Sequence, residues 1–184
     1  MKGLIEFIKE SADRNYSAAA QRKQSFDWIS DLASKIINTI KRKTGRVTPH
    51  VVFYVDNSGS IHPAIKNIYK GIYSAAEQVQ AKYKVNFEMV TFTNEMSELT
   101  WGNIPKLGGP SYDFPKLLTD IDNRSGNATL NVIVTDEIFS PDIKANMFKN
   151  NVMLICSSNN SSVKKLKDTN VNFINVGFDF SKKI

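Results

Sequence analysis

Apolar runs that alternate with amphipathic segments organise the chain from residue 51 onward. The run Val51–Val55 is apolar throughout and rich in β-branched and aromatic residues, which is typical of a strand buried on both faces. Similar runs predict further strands at residues 85–92, 130–134, 152–156 and 171–176, with a short edge strand at Glu98–Trp101.

Helical spacing separates these strands. After Pro63, a stripe recurs at the positions of one helix face: Ile65, Ile68, Tyr69, Ile72, Ala76 and Val79. A shorter stripe contains Phe114, Leu117, Leu118 and Ile121, and brief helices are predicted at residues 141–148 and 161–166. Strands that alternate with helices favour the α/β class, and we expect a three-layer α/β/α sandwich with a mostly parallel central sheet.

The N-terminal part carries helical patterns only. Residues 4–24 are weakly helical, whereas a clear amphipathic stripe predicts a helix that ends near Lys43, through Phe26, Ile29, Ala33, Ile36, Ile37 and Ile40. We therefore expect two parts: a helical N-terminal extension at residues 1–47, packed on the core, and a main α/β domain at residues 48–184.

Composition narrows the class without naming a function. The 184 residues are 41% hydrophobic and 23% charged, which suits one domain with a real core. No apolar run approaches the roughly 20 residues that cross a bilayer, and the first residues lack the apolar segment of a signal peptide. The single cysteine, Cys156, excludes an internal disulfide, so we expect a cytoplasmic protein without a membrane partner.

The net charge of +6 is concentrated in the N-terminal part. Residues 1–49 hold ten Lys and Arg against five Asp and Glu, and the densest cluster is Lys41, Arg42, Lys43 and Arg46. Cations are favoured at a helix C-terminus, so a solvated helix end explains the cluster. A surface for nucleic acid or another anionic partner explains it too.

Oxygen-bearing side chains follow two predicted strands and one loop. Asp56, Ser58 and Ser60 follow Val51–Val55, Asp136 follows the strand at 130–134, and Ser111 lies in a loop rich in Gly and Pro. In open α/β sheets, sites form beyond the carboxyl ends of strands. Hard oxygen ligands suit Mg²⁺, with Mn²⁺ or Ca²⁺ as alternatives, whereas zinc favours nitrogen and sulfur.

These motifs resemble those of the von Willebrand factor A (VWA) family. The matching stretches are D-N-S-G-S-I at Asp56, G-G-P-S-Y-D-F around Ser111 and V-T-D-E at Asp136. Their sequences are most similar to those of VWA-like domains in bacterial and phage proteins. The resemblance covers roughly residues 48–178. It implies a Rossmann-like, VWA-type sheet and a metal-ion-dependent adhesion site.

What the resemblance implies can be carried over by position. Ser58 and Ser60 would bind the metal ion directly, Asp56 and Asp136 would hold it through water, and Ser111 stands where the family usually has threonine. An acidic side chain of a partner would complete the coordination. The implied function is a non-enzymatic protein-binding module, and an AAA+ ATPase is a plausible class of partner.

The sequence departs from the family pattern at residues next to the predicted ligands. Pro110 and Tyr112 flank Ser111, and Glu137 replaces the usual glycine after Asp136. The residues expected at the rim are Tyr112, Asp113, Glu137 and His62. A purely structural interpretation stays open, in which Asp56 and Ser58 cap the next helix and Asp136 satisfies loop amides.

Two other functions remain as alternatives. The basic N-terminal extension could bind nucleic acid with the main domain as a scaffold, in which case affinity would fall steeply with salt. Asp56, Asp136 and Glu137 could instead hold a cation for phosphoester hydrolysis. The sequence offers no evident general base and no phosphate loop for that reaction, so we expect a protein that is not an enzyme.

Overall fold

The computed structural model describes residues 28–42, 48–61, 65–106, 114–124, 129–136, 151–155 and 173–175. Within them the strands are β1 (His50–Asp56), β2 (Asn86–Phe92), β3 (Met96–Leu99), β4 (Thr129–Thr135), β5 (Asn151–Ile155) and β6 (Phe173–Asn175). The helices are α1 (residues 28–42), α2 (Ile65–Gln80) and α3 (Phe114–Arg124).

The described strands form one sheet in the order β3-β2-β1-β4-β5-β6. All neighbours are parallel except β2 and β3, which form an antiparallel hairpin at one edge. Because parallel neighbours need a crossover, helices lie between β1 and β2 and between β3 and β4. The α/β class and the mostly parallel sheet are therefore confirmed.

The two faces of the sheet are covered by different helices. Side chains that alternate along β1, such as Val51, Phe53 and Val55, share one buried cluster with apolar residues of α1 and α2. The other face holds Val52 and Tyr54 of β1, and α3 contributes the buried Leu117 and Ile121 outside that cluster. This arrangement confirms the three-layer sandwich.

Helix α1 packs against α2 at an unusually close point. Trp28 is 3% exposed, and a Cβ atom added to Gly71 would overlap with Cη2 and Cζ2 of its indole ring. Leu32 and Ile36 of α1 are fully buried in the cluster that also contains Val51 of β1. The described part of the N-terminal segment is thus integral to the hydrophobic core. The boundary predicted near residue 47 stays a prediction.

The edge strand lies two residues earlier than the sequence predicted. The pattern indicated Glu98–Trp101, but β3 spans Met96–Leu99, because Thr93–Glu95 turn the chain so that Met96 pairs with Phe92. Trp101 lies in the following turn, where it stacks on Phe87 with ring centroids 5.4 Å apart. Trp101 made the sequence pattern of the strand look longer at its end than the strand is, because this aromatic residue packs beyond Leu99.

Several predicted elements lie outside the described residues: the weak helix at 4–24 and the brief helices at 141–148 and 161–166. Among the helices that the structure describes, none has the length and apolar character needed to cross a bilayer.

Candidate metal site

Asp56 is the last residue of the central strand β1, and its carboxylate is fully buried. Its Oδ1 accepts a hydrogen bond from the backbone N–H of Ser58 at 2.8 Å, and its Oδ2 accepts one from the Thr135 hydroxyl at 2.8 Å. The first bond is typical of a polar turn. The second ties the carboxylate to the end of β4, so Asp56 is fixed from two strands.

Three further side-chain oxygens continue from this carboxylate toward solvent. Ser58 is buried and Ser60 exposed, and their Oγ atoms are 3.1 Å apart. The Ser60 hydroxyl lies 3.2 Å from Oδ1 of the half-buried Asp136, 76 residues away in the chain. The structure therefore brings together four of the five predicted metal ligands: Asp56, Ser58, Ser60 and Asp136.

The strand order explains why these residues meet. The chain runs outward from β1 through β2 to β3, and then restarts at β4 on the other side of β1. The direction thus reverses between β1 and β4, and in doubly wound sheets ligands bind at the carboxyl ends of such a strand pair. Val55 pairs with Val134, so the residues that follow, Asp56 and Thr135, end their strands side by side.

Asn57 fastens the turn to its surroundings, a role that the sequence did not reveal. Its backbone N–H donates to the carbonyl of Phe92 at 3.1 Å, and its side-chain amide donates to the carbonyl of Lys106 at 2.9 Å. Asn57 is only 6% exposed. It therefore joins the end of β2 and Lys106 to the turn at residues 56–60, which we call the serine turn.

The donor set fits Mg²⁺ in its chemistry and its spacing. Every donor is an oxygen, and Mg²⁺ prefers octahedral oxygen ligands at about 2.0–2.1 Å, which places neighbouring ligands roughly 3 Å apart. The Ser58–Ser60 and Ser60–Asp136 separations of 3.1 and 3.2 Å match that spacing, although they are hydrogen-bond distances too. Among the described residues, no three His, Cys, Asp or Glu side chains converge as a metal cluster. The oxygens gathered here come instead from two carboxylates and two hydroxyls.

The remaining predicted site residues divide into two groups. Ser111, Tyr112, Asp113, Glu137 and His62 lie outside the described residues, as do Lys43 and Arg46. Lys41 and Arg42 are described and exposed at the end of α1.

A second polar cluster occupies the amino edge, on the face covered by α3. Arg124 contacts Glu88, lies 2.9 Å from a carboxylate oxygen of Glu98, and places its Nε 2.8 Å from Asp120. Glu88 also lies 3.1 Å from Nε2 of His50. One guanidinium thus holds three carboxylates from two strands and a helix. Sequence spacing could have indicated only the Asp120–Arg124 pair, which lies four residues apart on α3.

Comparison with known proteins adds little to this geometry. No protein-family model matches the chain, and no curated protein matches it. The solved structures with some similarity include the crystal structure of the ArnB paralog VWA2 from Sulfolobus acidocaldarius, at 18% identity and a TM-score of 0.40. The match covers 74% of this chain and 43% of that one. The present chain thus spans under half of that protein's length, and the likeness is too remote to support a functional argument.

Proposed function

We propose that this protein is a non-enzymatic binding module whose serine turn holds a divalent cation, Mg²⁺ by preference. The observation that carries the proposal is the 3.2 Å approach of Ser60 to Asp136, which joins two motifs separated by 76 residues into one oxygen-lined site. In a purely structural interpretation, the hydrogen bond from Ser58 N–H to Asp56 stabilises the turn by itself. That interpretation does not explain why Asp136 lies beside Ser60.

The burial of each residue indicates whether it would contact the cation directly or through water. Ser58 and Ser60 would contact the cation through their hydroxyls, and Asp136, half-buried beside Ser60, would balance charge at the rim. Asp56 has both carboxylate oxygens engaged, by Ser58 N–H and by Thr135, which supports an indirect role through water. When bound, the cation supplies an electrophilic centre for an anionic oxygen.

A partner protein would complete the site. The sequence resemblance to the VWA family supports an acidic side chain in the last coordination position, and an AAA+ ATPase remains a plausible partner. Hydroxyls and water are neutral ligands, so the cation would keep its attraction for an anionic oxygen in the last coordination position. Binding would thereby depend on the metal ion.

Metal binding can be tested directly by calorimetric titration with Mg²⁺ and Mn²⁺. We expect saturable binding to the wild type and none to Ser58→Ala or Ser60→Ala, while Ser97→Ala on the exposed edge strand binds normally. Wild-type protein that takes up neither cation, or serine variants that bind as well as Ser97→Ala, would contradict the proposal.

Partner binding needs a second experiment. The wild type and Asp56→Asn are used as baits with Mg²⁺ and with EDTA, and a partner identified with Mg²⁺ is then purified. We expect EDTA and the substitution each to abolish its binding. A purified partner that binds equally in all four conditions would show that the cation has no role in recognition.

A further inference from the structure

Strand β3 forms an open edge of the sheet, because among the described strands it pairs with β2 alone. Two acidic residues are exposed along residues 95–106: Glu95, in the turn before β3, and Glu98, whose side chain is 68% exposed. Two large apolar residues follow them, Trp101 at 37% and Ile104 at 39% exposure. We call these four residues the β3 edge surface.

The apolar part of this surface is held in one position by the neighbouring elements. The indole ring of Trp101 stacks on Phe87 with centroids 5.4 Å apart, and it meets the ring of Tyr73 edge-on at 4.9 Å. The Tyr73 hydroxyl donates to the carbonyl of Asn103, whose N–H donates to the carbonyl of Thr100 at 3.1 Å. A surface that is ordered before binding loses little conformational entropy when a partner binds.

Trp101 and Ile104 differ from the single apolar residues that are common on protein surfaces. They lie three residues apart on an ordered turn, and they are the only exposed large hydrophobic side chains in the part of the chain that the structure describes. Tryptophan is also one of the residues that contribute most to binding at protein interfaces. Contact with another protein accounts for this exposure.

The charge beside these apolar residues is negative. Glu98 lies 2.9 Å from Arg124, but the same guanidinium also contacts Glu88 and Asp120. One guanidinium shared by three carboxylates leaves an excess of negative charge, and Glu98 is the most exposed of the three. The only Lys or Arg of residues 95–106 is Lys106, at the far end of this segment.

The edge gives one partner access to both kinds of side chain. Glu98 is bonded from α3, on one face of the sheet, whereas Trp101 contacts Phe53 and Phe87 on the face covered by α2. Three residues of chain span at most about 11 Å, so a short segment that lies along the edge can reach both.

We propose that the β3 edge surface binds a protein segment in which basic residues stand beside large apolar ones. The apolar side chains would pack on Trp101 and Ile104, and arginine or lysine would pair with Glu98 or Glu95. An arginine can also stack on the face of an indole ring. The excess of negative charge favours this partner over nucleic acid, whose phosphates it would repel. The surface uses none of the candidate metal ligands, so the inference is independent of the proposed metal site.

The test measures binding of short labelled peptides to the full chain by fluorescence anisotropy, with EDTA present. Three peptides share a Gly-Ser background: one combines Arg with Phe, one has Arg without Phe, and one combines Glu with Phe. We expect the first to bind more tightly than the other two. Trp101→Ala should weaken its binding by about tenfold or more, as for an aromatic residue at the centre of an interface. Glu98→Gln should weaken it roughly two- to fivefold, as for an exposed ion pair.

Two further variants keep the result interpretable. Ile104→Ser should also weaken binding of the first peptide while its urea denaturation stays close to that of the wild type, which covers the case in which Trp101→Ala disturbs the fold. Asp31→Asn removes one exposed carboxylate from α1 and should bind like the wild type.

Four outcomes would overturn the inference. The first is that no peptide binds, or that all three bind equally. The second is an equal loss in Glu98→Gln and Asp31→Asn, which would show nonspecific attraction. The third is wild-type affinity in both Ile104→Ser and Glu98→Gln. The fourth is self-association in sedimentation experiments that Ile104→Ser abolishes, which would assign the surface to a second copy of this chain.

Discussion

The hydroxyl of Thr135 donates a hydrogen bond to Oδ2 of Asp56 at 2.8 Å, between two fully buried side chains that lie 79 residues apart in the chain. The bond links the ends of β1 and β4, where the chain direction in the sheet reverses. A buried carboxylate is costly unless its oxygens are paired. Thr135 therefore fixes the orientation of the Asp56 carboxylate at the end of β1.

Replacing Thr135 by valine should destabilise the fold and weaken metal binding together. Valine keeps the shape of threonine but leaves Oδ2 of Asp56 without this donor, which costs about 1–3 kcal/mol in the free energy of unfolding. Urea denaturation measures the loss, and Mn²⁺ titration measures the affinity. The control is Thr91→Val, another buried strand threonine, whose hydroxyl bonds only weakly to Ser97 O at 3.3 Å. Equal effects of the two substitutions would remove the special role of Thr135.

Mg²⁺ should stabilise the wild type but not Asp56→Asn. Asparagine retains an oxygen for the N–H of Ser58 and a similar shape, so the turn can persist without the negative charge. A ligand that binds only the folded state adds about 2.7 kcal/mol at a hundredfold excess over its Kd. For a chain of this size, that corresponds to a rise in Tm of roughly 5–10 °C.

Thermal unfolding with Mg²⁺ and with EDTA checks this expectation. The two conditions should give different Tm values for the wild type and the same value for Asp56→Asn. Ser97→Ala serves as the control and should respond like the wild type. A Tm rise with Mg²⁺ that survives in Asp56→Asn would place the stabilising ion elsewhere on the protein.

The hydrophobic pattern predicted most of the described fold, because buried strands and amphipathic helices carry a periodicity that neighbouring elements do not alter. The run Val51–Val55 lies within β1, and the stripe from Ile65 to Val79 is buried on α2. The edge strand was displaced because Trp101 continues the apolar pattern into a turn and packs there on Phe87. The Trp101 side chain fits the apolar pattern of a strand, but its backbone is not part of the pairing between β2 and β3.

The candidate site was predictable where its residues follow a recognisable strand or match a family motif. The spacing of Asp56, Ser58 and Ser60 is visible in the chain, and the family resemblance pointed to Asp136. The contributions of Thr135 and Asn57 depend on strand register, which places Thr135 beside Asp56 and Asn57 beside Phe92. Register follows from tertiary packing, so no local pattern could reveal it.

Gly71→Ala should destabilise the protein, although alanine is the better helix former. The new Cβ would overlap with the indole of Trp28, which is nearly fully buried and has little room to move. Overpacking of this kind costs about 1–3 kcal/mol, partly offset by a gain in helix propensity of up to about 1 kcal/mol. Urea denaturation measures the net change.

The double variant Gly71→Ala with Trp28→Phe tests the cause. The smaller ring makes room for the methyl group, so the cost of Gly71→Ala should shrink in that background. Gly59→Ala, with nothing within 4 Å of its added Cβ, should leave the free energy of unfolding almost unchanged. If Gly71→Ala is harmless with Trp28 in place, α1 does not hold its position against α2.

Tyr69→Phe should make the protein less sensitive to alkaline pH. Burial raises the pKa of Tyr69 above its usual value of 10.0, and the nearby Tyr73 raises this pKa further. Above pH 10 the unfolded chain releases this phenolic proton while the folded chain keeps it, so stability falls as the pH rises. The slope is about 1.4 kcal/mol per pH unit for one proton.

Urea denaturation at a series of pH values above 10 measures this slope. Burial raises the pKa of Tyr54 as well, so Tyr69→Phe should reduce the slope without abolishing it. At neutral pH the substitution should be nearly neutral, because the Tyr69 hydroxyl has no hydrogen-bond partner among the described residues. The half-buried Tyr83 provides the control substitution, Tyr83→Phe. An unchanged slope in Tyr69→Phe would contradict the proposed protonation linkage.

Arg124→Leu should destabilise the amino edge of the sheet by leaving three carboxylates without their shared cation. The guanidinium contacts Glu88, Glu98 and Asp120, and Arg124, Glu88 and Asp120 are 22–29% exposed at their side chains. Because Glu98 is exposed while the other three side chains are half-buried, we expect a loss of about 2 kcal/mol, between the values for exposed and buried ion pairs. Urea denaturation at neutral pH measures it.

The cause of that loss is carboxylate repulsion, and this can be separated from lost packing. Adding Glu88→Gln to Arg124→Leu removes one negative charge and should recover part of the stability, whereas Glu88→Gln alone should destabilise the wild type. If Glu88→Gln is as costly with Arg124→Leu as without it, the two residues act independently and packing alone explains the effect.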